Sequence, residues 1–338
     1  MPILVFFGVA LTLVAGLSAG SCMLPMKFVR RWQWENSWLV FSVVSLFILP
    51  WGLALLFVGD LGSVYSAVPF DQLLLTFLLG AGWGVAQILF GLSIARLGMA
   101  LGYAIIIGLG SLGGTLVPLF FKNHAVLGTS RGALIFSGLG IMVAGIAVSA
   151  HAGWQRDDGQ KTETGTTKTG TGYAVALLLA ILCGIMAPMI NYSFAFGQDI
   201  AVQAVQQGVT PARAAYAVWP VTLTGGFLPN LAYCVYLLFR KKTWSAFSGS
   251  GLHDAGLASL MAVLWMGAMA IYGVASVYLG ALGTSVGWGI FQIFMVMTAN
   301  GGGLVTGEWR TAPRSARRTL YASLAMLSVA MVLLAAGN

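Results

Sequence analysis

Two stretches of this chain set an indole against a carboxamide one helical turn later. GWGVAQIL runs from Gly82 to Leu89, and GWGIFQIF from Gly287 to Phe294. Trp83 is followed by Gln87, and Trp288 by Gln292. Side chains four residues apart lie on one face of an α-helix. Both pairs sit inside long apolar runs, where an amide must find a hydrogen bond and so faces protein or water, not hydrocarbon. Other polar and aromatic groups are placed in the same way. Asn191 follows MAPM, Trp219 precedes Pro220, and Trp265 and Tyr272 stand seven residues apart, on roughly one helix face. Asn300 opens an NGGG run, where a kink or helix break is expected. Trp83, Trp265 and Trp288 lie too far inside their runs for the usual interfacial belt of aromatic anchors. Two readings fit the amides: the wall of a cavity, or glue that bonds one helix to a neighbour's backbone. Gly80 and Gly84 form a small-xxx-small pair, which lets a second helix approach closely.

The chemistry of such a wall limits what it could hold. Rings offer flat faces to C–H groups, and carboxamides donate and accept as hydroxyls do. A cationic ligand would need a buried carboxylate, and an anionic one a buried Arg or Lys. Neither occurs deep in an apolar run. A neutral polyhydroxyl ligand fits best, with Trp83, Gln87, Asn191, Trp219, Trp265, Tyr272, Trp288 and Gln292 as candidate binding residues. Glu35, in RRWQWENSW (30–38), has two readings. It is either an acid favoured by the helix dipole near Arg31, or a gating carboxylate that responds to protons. Cys22, Cys183 and Cys234 have neither metal nor redox spacing and read as packing residues. No nucleophile stands paired with a base, and His124, His151 and His253 are scattered among connections and a helix end. The sequence does not read as an enzyme, and no metal or organic cofactor is expected.

The elements that must position these groups follow from charge. Charged residues make up 8% of the chain and hydrophobic residues 58%, with a mean hydropathy of +0.88. A soluble protein carries about 25% charged residues. Residues 1–26, 36–59, 72–95, 97–121, 132–155, 169–198, 214–239 and 319–338 hold no Asp, Glu, Lys or Arg. Residues 255–307 are also uncharged, long enough for two spans with a turn near Leu282–Thr284. A helix needs about 20 residues to cross the hydrocarbon core, so ten helices are expected. LSAGSC (17–22) has the look of a cleavage site, but no basic segment precedes it, so the first run reads as a span. Fourteen of the 17 Lys and Arg fall in connections that follow odd-numbered helices. The positive-inside rule then puts those connections in the cytoplasm and both termini outside. The net charge of +8 reflects an anionic inner leaflet, not nucleic acid.

The polar, Thr- and Gly-rich stretch from 153 to 171 reads as a flexible cytoplasmic linker between halves 1–152 and 172–338. Short echoes relate the halves in chain order: MLPM (23–26) and MAPM (186–189), FILP (47–50) and GFLP (226–229), LGMALGY (97–103) and LGTSVGW (282–288). A duplicated unit of five helices enters the membrane in the opposite sense, giving an inverted repeat with its site near the midplane, where the halves meet. The Trp–Gln pairs link helix three to helix nine and stand outside this duplication.

RRWQWENSWLVFSVVSLFILPW (30–51) resembles the second helix of the L-rhamnose–proton symporter family, in the drug/metabolite transporter superfamily. The segment from 80 to 119 resembles its third and fourth helices. MINYSF, YAVWPVTLTGGFLPNLAYC (216–234) and GGLVTGEW (302–309) extend the similarity over nearly the whole chain. The resemblance implies an all-α membrane protein with ten transmembrane helices as two inverted five-helix repeats, the drug/metabolite transporter fold. It also implies a bacterial inner-membrane location and uptake of a deoxy-sugar with a cation. Lys27, Trp34, Glu35, Trp38, Trp83, Gly84, Gly98, Asn191, Pro220 and Trp288 fall on family positions, which makes Lys27 and Glu35 the coupling or gating candidates. Gln87 replaces an Asn. An acidic residue expected before the Trp of helix nine is replaced by the Thr284–Ser285 segment, and a His after it by Phe291. The coupling ion is therefore open between H⁺ and Na⁺, or coupling is absent. The expectation is a secondary transporter that imports a neutral monosaccharide, L-rhamnose or a related deoxy-sugar, by alternating access. The alternative is a drug or metabolite exporter of the same fold. Membrane lipid and the small substrate are the expected partners, with no nucleic acid and no obligate protein partner.

Overall fold

The computed structural model describes residues 3–97, 99–158, 171–248 and 251–338. Gly98 and most of the expected linker lie outside the described residues. The fifth helix runs on to Asp158, past the expected start of that linker. Among the described residues, every regular element is a helix. Ten helical spans are long and apolar enough to cross a membrane: α1 Ile3–Phe28, α2 Trp34–Phe57, α3 Phe70–Ile94, α4 Leu101–Lys122, α5 Ser130–Arg156, α6 Tyr173–Gln206, α7 Pro211–Lys241, α8 Leu252–Leu282, α9 Val286–Val305 and α10 Arg314–Gly337. Many large apolar side chains on them are exposed, Phe121 at 74% and Leu252 at 87% among them. A water-soluble protein does not tolerate so much apolar surface; lipid accounts for it.

Proline and glycine punctuate the spans for local reasons. α1 leaves its α-helical course at Ser21 and closes with a 3₁₀ turn, Leu24–Phe28, opened by Pro25. α2 starts from a reciprocal cap in which Gln33 and Asn36 satisfy each other's backbone N–H groups. Its middle, Val43–Ile48, is π-helical and runs directly into Pro50, which has no N–H to continue the i→i−4 ladder. α6 is discontinuous: Thr171–Met186 stops at Ala187–Pro188, and Met189–Phe196 resumes beyond. The echoed MLPM and MAPM thus each end an α-helical stretch at a proline. α8 and α9 are separated at Gly280, whose φ of +74° few other residues adopt. A 3₁₀ turn, Gly280–Leu282, follows, and the chain reverses at 283–285, where the turn was expected. Asn300 does not break α9, which stays helical through the whole NGGG run to Val305. Gly303 is a packing position, where the helix meets the chain that follows, while Gly301 faces open space.

The chain forms two compact units. Unit one comprises Met1–Val85 and Met189–Gly280, and unit two Ala86–Pro188 and Ala281–Asn338. In unit one, α3 crosses α7 at contact distance. A methyl on Gly80 would fall on the Thr222 carbonyl, and one on Gly84 would lie 2.8 Å from the Pro229 ring. The small-xxx-small pair is therefore a helix–helix contact. α1 lies along α8, with Ser18 Oγ donating to the Leu264 carbonyl at 2.7 Å. In unit two, α5 and α10 pack along their length, and α4 packs against α6 and α9.

Candidate functional site

The aromatic and amide residues fall into separate clusters. In unit one, Trp83 is buried and stacks on Trp265, ring centroids 5.3 Å apart and 18° from parallel. Trp265 also meets Phe41 edge to face, and Phe41 packs on Trp38 at 4.8 Å. Asn230 ties this group to the α3–α7 crossing. Its Oδ1 accepts from Trp38 Nε1 at 3.0 Å, and its Nδ2 donates to the carbonyls of Gly226 and Gly84 at 2.9 and 3.3 Å. All of its amide atoms are used, as burial requires.

A second cluster of unit one joins three more candidates. Tyr272 is fully buried, and its hydroxyl donates to Asn191 Oδ1 at 2.7 Å. Trp219 stacks on Phe194 at 4.5 Å, and Phe194 touches Tyr272. The Trp219 Nε1–H has no acceptor among the described residues. Beside them, Ser193 Oγ donates to the Thr76 carbonyl and shares a 2.7 Å bond with the Thr222 hydroxyl.

The basic end of unit one holds Glu35. Its carboxylate is fully buried, accepting from Lys241 Nζ and Thr243 Oγ1, each at 2.9 Å. Lys242, in the left-handed region at φ 57°, turns the chain at the end of α7 and places Thr243 there. These partners come from 206 and 208 residues away, so sequence proximity to Arg31 was no guide to them. Asp254, at the start of α8, is likewise buried and accepts the backbone N–H groups of Arg30, Arg31 and Trp32 at 2.8–3.1 Å. Together the two carboxylates fasten the α1–α2 connection to the ends of α7 and α8. Lys27 is exposed in its 3₁₀ turn.

Unit two holds the remaining candidates. The Trp288 indole lies over Gly114, where a methyl would collide with it, and its Nε1 points to the Gly110 carbonyl at 3.4 Å. Gln292 Nε2 reaches Ser111 Oγ at 3.5 Å, the outer limit of a hydrogen bond. Gln87 is half-buried and makes no hydrogen bond among the described residues. Neither glutamine bonds a neighbour's backbone among the described residues, though the Gln292–Ser111 contact does link α9 to α4. Asn300 instead donates to Ser149 Oγ at 2.8 Å. Sequence reasoning did not single out Asn230, Ser193, Thr222 and Asp254. Asn230 carried the signal that marked Gln87, an amide within an uncharged run. Asp254 sits at a span's edge, where an acid passes for a simple helix-start residue.

Ten membrane-length helices, aromatic–amide clusters in the apolar interior and a helix interrupted at Pro188 describe a multi-pass transport protein, in which irregular backbone is confined to protein-lined regions. A sequence profile of the L-rhamnose-proton symport protein matches residues 1–338, and the chain belongs to that family. It is similar to the L-rhamnose-proton symporter of Cronobacter sakazakii, 31% identical over 317 residues that cover 91% of this chain and 90% of that protein. The symporter of the same name from Mannheimia succiniciproducens is 28% identical over 324 residues, covering 94% and 93%. That of Shigella flexneri is 30% identical over 317 residues, covering 91% and 90%. None of these names supports the exporter alternative.

Proposed function

We propose that the protein imports a neutral monosaccharide, L-rhamnose or a related deoxy-sugar, across the bacterial inner membrane by alternating access, driven by a proton gradient. The observation that carries this reading is similarity along the whole chain to proteins named L-rhamnose-proton symporters. The clusters suit it chemically. Stacked indoles offer flat faces for C–H groups, and carboxamides match hydroxyls that both donate and accept. The halves 1–152 and 172–338 are inverted repeats in this reading, with the basic connections cytoplasmic and both termini outside. Trp83, Gln87, Asn191, Trp219, Trp265, Tyr272, Trp288 and Gln292 remain the proposed binding residues. Lys27 and Glu35 remain the coupling or gating candidates, with H⁺ as the coupling ion and Na⁺ as the alternative.

Uptake by proteoliposomes tests the reading. Labelled L-rhamnose should accumulate when the interior is made alkaline, and the accumulation should collapse when a protonophore is added. Accumulation under an Na⁺ gradient alone would transfer coupling to sodium. No accumulation of any monosaccharide under either gradient would remove sugar import.

A further inference from the structure

Unit two contains a cavity of about 200 Å³, and none of the eight candidate binding residues lines it. Its construction starts at the end of α9. The N–H of Glu308 bonds the Gly303 carbonyl at 2.9 Å, and the N–H of Gly307 bonds the Leu304 carbonyl at 3.2 Å. Gly307 has a φ of +84°. This is the paired six-to-one and five-to-two closure of a Schellman cap. It folds Glu308 and Trp309 back over the last turn of α9. Gly303 leaves room for them, since a methyl there would stand 3.1 Å from both the Glu308 carboxylate and the Trp309 indole nitrogen.

α5 supplies the facing wall. Arg156 lies over the Trp309 ring at 5.0 Å and reaches Glu308 Oε2 at 3.3 Å. Ser149 accepts from Asn300, and Tyr103 of α4 completes the lining. Trp309 itself packs among Ala152, Ala312, Ala316 and Leu320. A ring, a carboxylate, a guanidinium, an amide and hydroxyls thus line one cavity.

The arrangement selects the class of ligand. The Arg156–Glu308 contact is longer than the 2.7–2.9 Å of a tight charge-assisted bond, and its side chains are 18% and 39% exposed. A vicinal diol can donate to the carboxylate and accept from the guanidinium together, leaving neither charge uncompensated. An anion or a cation would satisfy one partner and repel the other. Val296 and Ala299 give the cavity an apolar edge against which a C–H face or a methyl group can lie. We infer that this cavity is a second binding site for a neutral polyol of monosaccharide size, at the basic end of unit two. The inference rests on the proposed sugar import and deepens it: the same sugar occupies this site on the cytoplasmic side of its route.

Alkylation of an Ala299→Cys protein in proteoliposomes tests this. Cys22, Cys183 and Cys234 are buried, so the unsubstituted chain gives the background. A small permeant maleimide is the probe. L-rhamnose, at concentrations that saturate uptake by the unsubstituted protein, should slow labelling several-fold, and sugar-free buffer made isosmotic with KCl should not. Glu308→Gln in that background should raise the half-protecting rhamnose concentration about tenfold, the loss expected for one hydrogen bond to a charged group. Ser149→Ala, a milder change, should shift it in the same direction, and size-exclusion profiles report whether each variant is folded. Labelling that ignores rhamnose while uptake persists would overturn the second site and leave sugar import standing. Protection that neither folded variant shifts would do the same, because a conformational effect from elsewhere would then explain it. No uptake by the unsubstituted protein would overturn both.

Discussion

A carboxamide in an apolar helix is either bonded or directed at something polar, and the amides here divide on that line. Asn230 uses every hydrogen-bonding atom within unit one, so its role is to hold Trp38 and the α3–α7 crossing. Asn230→Ala should destabilise the protein by about 2–3 kcal/mol, because it strands a buried indole N–H and removes several bonds at once. Denaturation in detergent micelles would measure this. Gln87 and Gln292 are the opposite case, with no bond and one long bond among the described residues. Gln87→Ala and Gln292→Ala should therefore leave the melting temperature nearly unchanged. Each should raise the half-saturating rhamnose concentration about 5–10-fold, the worth of one ligand hydrogen bond of about 1 kcal/mol. A drop in melting temperature with unaltered uptake would return these amides to a packing role. Glu35 is bonded at both oxygens by Lys241 and Thr243. Any gating by Glu35 has to break that fastening.

At the level of elements, small residues decide where helices meet. Hydrocarbon gives helices no hydrophobic reason to associate, so close backbone approach and packing carry the contact. Gly80 and Gly84 on α3 and Gly225 and Gly226 on α7 have no room for a β-carbon. Gly80→Val should separate this pair and remove the monodisperse peak in fluorescence-detected size exclusion. Substitution at Gly91, which faces open space, should leave the peak intact. Gly307 acts through conformation instead. Its left-handed φ costs other L-residues about 1 kcal/mol, so Gly307→Ala should loosen the turn that carries Glu308 and Trp309. Three prolines mark where helices stop being regular: Pro25, Pro50 and Pro188 each adjoin a 3₁₀ turn, a π stretch or a gap, whereas Pro118 and Pro229 lie inside continuous helices. Interrupted helices free backbone groups for ligands in transporters generally.

For the molecule as a whole, the membrane sets the terms. Ten spans and a positive net charge confined largely to alternate connections predict an outside position for both ends. A reporter that fluoresces only in the cytoplasm should stay dark when fused after Asn338, and a periplasmic phosphatase fused there should be active. The reverse pattern would invert the orientation and, with it, the side on which Arg156 and Glu308 lie. The contact units interleave the two halves of the sequence, since each takes α-helical segments from both. A duplication in sequence and a cluster of contacts are different divisions of one chain, and a relation between repeats does not follow from the second.

How much was legible beforehand depended on what the bilayer penalises. It forbids unpaired charge across its core, so gaps between Lys, Arg, Asp and Glu located ten spans, and the imbalance of Lys and Arg is the basis for proposing their orientation. The motif blocks around Trp34, Trp83 and Gly302 carried the family. Partners were another matter. Trp83 meets Trp265, Gln292 meets Ser111, and Asp254 meets residues 30–32, all across more than 180 residues. In a soluble helix the apolar stripe points to the core, but here lipid-facing and inward-facing sides are equally apolar. Periodicity therefore marks neither, and only folding decides which amides are consumed by packing and which are left to bind.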